Sequence, residues 1–160
     1  MTTNIQSLLE VMNKMKEAEM KVGELYLLCA NKWKEDKHFW IDIAGTEAKH
    51  AEYLQQMMDM IITNPNKFSY NRPFNITAVE TMIKFVKKNI ERLNKDEITK
   101  DNMLFIARDF ENSVIEQKYV EIIDTLDLKY KELMNRIVEE TFEHRKMLID
   151  RINISCKRGC

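Results

Sequence analysis

Only three glycines and two prolines occur in 160 residues, and both prolines, Pro65 and Pro73, fall in one short stretch. Gly and Pro are the strongest local breakers of regular structure. A chain this poor in them has few places to turn, so long helices joined by a few breaks are the expected architecture. The length suits one domain with a substantial core better than two.

Apolar residues recur at three- and four-residue steps, the period of one helix face. A first helix is expected from about Ile5 to Asn31, with Ile5, Leu8, Met12, Met15, Glu19, Val22, Tyr26 and Cys29 on its stripe. The charged run "NKWKEDKH" reads as a turn. A second helix follows from about Phe39 to Thr63 through Trp40, Ile43, Ala44, Glu47, Ala51, Leu54, Met58 and Ile61. The segment "TNPNKFSYNRPFN" is rich in turn formers. A shorter helix then starts at Asn75 or Thr77, where Thr77 and Glu80 have capping-box spacing, and ends near "NKDE".

A third long helix is expected from about Lys100 to Thr125, and a fourth from Asp127, a plausible N-cap, to about Asn153. No strand pattern competes. The fold class read from this is all-α: two antiparallel hairpins joined by a long crossover that carries an extra helix, the connectivity of one type of four-helix bundle. Residues 1–155 form the bundle, and residues 156–160 are a flexible tail.

Charge excludes some functions. Charged residues make up 32% of the chain, yet the net charge is only −1. No face carries the excess Lys and Arg that phosphate backbones require, so no nucleic-acid partner is expected. No apolar run reaches the roughly 18 to 20 residues that span a bilayer, and the N-terminus lacks signal-peptide character. Cysteine is sparse and odd in number, at Cys29, Cys156 and Cys160. That fits a reducing compartment, and a cytoplasmic location is expected.

The apolar stripes contain polar residues. On the second helix the stripe centres on Glu47, with His50 about 60° to one side. On the fourth it centres on Thr141, with His144 about 60° to the same side. Glu19 and Glu111 sit between apolar neighbours on the first and third helices. An isolated ionised carboxylate in an apolar core costs several kcal/mol unless it is paired, so these residues need a shared reason.

Their levels agree. Residues equidistant from the turn lie side by side in an antiparallel hairpin. Glu19 and Glu47 are centred on residue 33, and Glu19 and His50 fall either side of 34–35, inside the first turn. Glu111 and His144 are centred between Asp127 and Leu128, at the second.

Glu on one helix and Glu-x-x-His on the next, repeated in a second hairpin, resembles the ligand plan of ferritin-like di-iron carboxylate proteins. The chain looks most like the rubrerythrin-type branch, with Glu19 and Tyr26, then "EAKH" at 47–50, then Glu111 and Tyr119. A lone Glu-x-x-His is a short motif; the resemblance rests on a Glu and a His at matched height in each of the two hairpins. The resemblance implies one or two iron ions per chain, other divalent metals being possible, and redox chemistry on peroxide or dioxygen. It also implies a homo-oligomer, with a dimer favoured. The four-cysteine rubredoxin module of full rubrerythrins is absent, so redox activity requires an external electron donor.

The pattern departs from the family at two places. Thr141 stands where a fourth Glu belongs, and Val114 where the third helix often carries a further one. Glu140 lies about 40° from His144 on the wheel but about 100° from the stripe centre, and could substitute only by reaching in from the flank. Arg145, about 40° from that centre, offers the alternative: a buried Arg–carboxylate network without metal, in a non-catalytic bundle serving as a binding or assembly module. The eleven methionines sit mostly at core spacing and read as gap-fillers. His38 reads as a solvated loop residue.

Overall fold

The computed structural model describes residues 2–71, 75–113 and 121–158, with side chains from residue 5 onward. Five helices lie among the described residues: α1 (Thr2–Lys32), α2 (Lys37–Thr63), α3 (Ile76–Asn94), α4 (Lys100–Glu111) and α5 (Leu128–Arg158). Two three-residue strands accompany them, β1 (Phe68–Tyr70) and β2 (Ile123–Thr125). The fold is all-α apart from this small ladder. Among the described residues no helix is long and apolar enough to cross a membrane.

The helices form where apolar residues share a face. Leu8, Met12, Met15, Val22, Tyr26 and Cys29 of α1 are buried, as are Trp40, Ile43, Leu54, Met58 and Ile61 of α2. The α1–α2 break is a single 3-10 turn at Lys34–Asp36. Across it, Lys16 donates to Gln55, Glu19 faces His50, and a methyl at Gly23 would meet Glu47 Cβ at 3.4 Å. These pairs are all centred on the turn, so α1 and α2 run antiparallel.

In the same way Ser155 donates to Asp101 while His144 faces Glu111, which makes α4 and α5 antiparallel. His50 and Glu47 of α2 meet Glu140 and His144 of α5, again in opposite directions. Helix α3 lies along α1 and buries Val79, Ile83, Val86 and Leu93.

Several expectations are corrected. The third long helix does not run to Thr125: α4 ends at Glu111, and residues 123–125 are a strand. Ile123 and Thr125 are β-branched, which suits extended backbone. Phe68–Tyr70 supplies the partner, in the register Phe68↔Thr125, Ser69↔Asp124 and Tyr70↔Ile123. Thr77 and Glu80 do not cap α3; the Asn75 side chain does, accepting from Thr77 N at 3.0 Å. The expected tail at 156–160 is helical through Arg158, while Cys160 lies outside the described residues. His38 is exposed but belongs to the first turn of α2, not to a loop. Asp127 does cap α5, accepting from Tyr130 N at 3.1 Å.

The core comes in two parts. One apolar cluster gathers Leu8–Ala18 of α1, Leu54–Ile61 of α2, Val79 and Ile83 of α3, and Tyr130–Ile137 of α5. The other gathers Val22–Ala30, Phe39–Ala44, Val86, Leu93, Met103–Phe110, Leu148 and Ile152. In every long helix the gap between the two clusters holds the polar residues.

Candidate metal centre

Glu19 comes from α1, Glu47 and His50 from α2, Glu111 from the last turn of α4, and Thr141 and His144 from α5. All six are buried, each at most 5% exposed. Each is held by the apolar residues one turn away on its own helix, so burial of the stripe carries the polar group inward with it.

The donor atoms form two groups that share one residue. Glu19, Glu47 and His50 make the first, and Glu47, Glu111 and His144 the second; within each, the ligand atoms lie within 4.8 Å of one another. His50 Nδ1 is 3.9 Å from Glu19 Oε2 and 3.6 Å from Glu47 Oε2. His144 Nδ1 is 3.0 Å from Glu47 Oε1 and 3.7 Å from Glu111 Oε2. The two imidazole rings lie 6.0 Å apart with 29° between their planes. Glu47 thus presents one oxygen to each group, as a carboxylate bridging two cations would.

The electrostatics of this cluster are unfavourable as it stands. Burial, then the charges of Glu111 and Glu19, push the Glu47 carboxyl well above its ordinary range. Two like charges at this separation repel by about 3–4 kcal/mol at an effective dielectric of roughly 20. Burial opposes a charge on His144, but the adjacent Glu111 and Glu47 carboxylates outweigh it and raise its pKa to about 9. His50 is raised against burial by Glu19 first, then by the charges of Glu140 and Glu111.

Unsatisfied atoms point to what fits between these groups. Both Glu47 oxygens, Glu111 Oε2, His50 Nδ1 and His144 Nδ1 are buried without a hydrogen bond. Buried polar atoms are rarely left so, and here they face one another. A divalent cation in the second group would satisfy three of them at once, and one in the first group two; either would offset the carboxylate repulsion. These groups can hold a metal ion.

The surrounding residues settle several sequence expectations. Tyr26, fully buried, donates to Glu111 Oε1 at 2.9 Å and leaves Oε2 directed at the second group. The Thr141 hydroxyl is turned back onto its own helix, donating to Ile137 O at 2.7 Å, and belongs to neither group. Glu140 also lies outside both; its Oε2 is 3.0 Å from His50 Nε2.

The buried Arg145–carboxylate pair is absent among the described residues: the guanidinium lies over the Phe142 ring, 4.5 Å from its centroid. Tyr119 and Val114 lie outside the described residues. Cys156 is exposed and Cys29 buried, both as free thiols away from the centre.

Two features were not read from the sequence. Gly23 lets α1 approach α2 at the height of Glu47; a glycine one turn from a buried Glu was the available signal. The pairing of His50 with Glu140 joins α2 to α5, which no spacing within one helix could reveal. No protein-family model, curated protein or solved structure matches the chain.

Proposed function

We propose that this chain is a ferritin-like, rubrerythrin-type protein that holds one or two iron ions between its helices and uses them in redox chemistry on peroxide or dioxygen. The observation that carries this reading is the pair of buried donor groups sharing Glu47. Carboxylate oxygens with one imidazole per position are compatible with iron as with other divalent metals, and neither donor group includes a cysteine. The helix directions support a four-helix arrangement with α3 in the crossover: α1 parallel to α5, and α2 parallel to α4.

Glu19, Glu47 and His50 would hold one ion, and Glu47, Glu111 and His144 the other. Bound iron supplies the electron transfer to the oxygen substrate. Among the described residues each group offers three protein donors and Thr141 contributes none, which would leave coordination positions for a small oxygen ligand. Tyr26 fixes the Glu111 carboxylate, and the two apolar clusters close the site off from bulk water above and below. An external electron donor and a homodimeric assembly complete the reading.

The test is elemental analysis of protein expressed in iron-supplemented medium or refolded with ferrous iron. One to two iron ions per chain are expected, and Glu47→Ala, which removes the shared ligand, should abolish both. Wild-type protein without bound metal and without peroxide turnover would refute it.

A second reading is favoured by one specific contact. His144 lies 3.0 Å from Glu47 and 3.7 Å from Glu111, so a protonated imidazolium could balance them in a metal-free polar network of a non-catalytic bundle. That reading requires stability indifferent to chelators; a melting midpoint that drops on adding EDTA excludes it.

A further inference from the structure

Glu140 differs from the rest of the cluster. Its side chain is 30% exposed, whereas His50, which it touches, is fully buried. It sits one residue before Thr141 on α5 and reaches across to α2, placing Oε2 3.0 Å from His50 Nε2.

A neutral imidazole carries its proton on either nitrogen, and only the bare one can bind a cation. A carboxylate beside Nε2 keeps the proton there and leaves the Nδ1 lone pair facing Glu47 and Glu19, 3.6 and 3.9 Å away. It also stops the ring from rotating out of that orientation and makes Nδ1 a more basic donor.

Resting on the metal-centre reading above, we propose that Glu140 is a positioning residue: it sets the tautomer and angle of His50 and makes the Glu19–Glu47–His50 position the tighter of the two. His144 provides the contrast. Its Nδ1 faces Glu47 and Glu111, and among the described residues no carboxylate lies within ion-pair distance of its Nε2. Among the described residues, the two positions share Glu47 yet differ in the support behind their histidines.

The experiment uses zinc, which is redox-inert, on the full chain with ring-15N-labelled histidine, comparing wild type, Glu140→Ala and Glu140→Gln. Outer partners of this kind are worth about 10- to 100-fold in metal affinity. Competition with a chelating indicator should show the tighter zinc step weakened by that factor in E140A. E140Q, whose amide oxygen accepts the same hydrogen bond without charge, should lose less. In zinc-loaded wild type the His50 Nε2–H resonance should exchange slowly; E140A should lose it, E140Q should keep it, and the His144 signals should stay in place.

Unchanged zinc affinity and unchanged His50 signals in E140A overturn the proposal. Equal disturbance of His144 and His50 overturns it too, because that marks a general loosening of the bundle. Wild type that takes up no zinc sinks the metal-centre reading itself, and this inference with it.

Discussion

Glu47 combines the properties that would let the cluster hold a cation with those that make the cluster costly. It faces both histidines, both of its oxygens lack a hydrogen bond, and Glu111 and Glu19 crowd it. The sign of the resulting pH dependence follows from linkage. Glu47 and His144 both bind protons more tightly in the folded, metal-free protein than in the unfolded chain, His144 at about 9 against 6.5. Their contribution is fully present below the unfolded values and is lost as pH rises through the folded ones.

The melting temperature of metal-free protein should therefore fall between pH 6.5 and pH 9, read by circular dichroism. Glu47→Gln should flatten the Glu47 part of the slope. A rise in stability over that range would contradict the assignment. At this scale the sequence was legible where a polar residue sat on an apolar stripe, as Glu47, His50 and His144 do. It was not legible where a side chain crosses between helices from a flank. Glu140 looked like a distant substitute ligand because a helical wheel gives direction from one axis only, and its partner His50 stands on another helix.

Helix existence was readable from period and helix ends were not, and the reasons differ by element. Segments α1 and α2 carry unbroken stripes and were located to within a few residues. The expected helix through Thr125 failed because a period of apolar residues cannot distinguish continued helix from a short β-branched strand. The outcome depends on Phe68–Tyr70, more than fifty residues earlier, offering a ladder partner. Asn75 displaced the Thr77 capping box because its own side chain reaches Thr77 N first.

One weakness inside α2 can be repaired. Gly45 is exposed, has no left-handed φ, and a Cβ built there meets nothing within 4 Å. Gly45→Ala should stabilise the protein by about 0.5–1 kcal/mol through helix propensity alone. Urea denaturation would measure it. A loss of stability would mean that the α2 surface is covered by something in solution, such as a second copy of the chain.

For the molecule as a whole, an all-α chain was evident from the scarcity of Gly and Pro and the regularity of the stripes. The division of the core into two clusters was not, although α1, α2, α4 and α5 each carried a polar residue at a matching level. A cation bound only by the folded state adds about 2.7 kcal/mol at one hundred times its dissociation constant. For a domain of this size that is a rise of roughly 5–11 °C in melting temperature. Scanning calorimetry with and without ferrous iron or zinc should register such a shift, and chelator should reverse it. An unmoved transition would favour the metal-free network.

The two-part core has a mechanical corollary. Helices α1, α2 and α5 pass through both clusters, while the layer between them holds carboxylates and imidazoles instead of interlocking aliphatic groups. That layer is a seam, and an ion gripped there would act as a rivet joining two otherwise separate halves. Without it, the packing between neighbouring helices should loosen first where the acids meet, while the aliphatic clusters on either side hold.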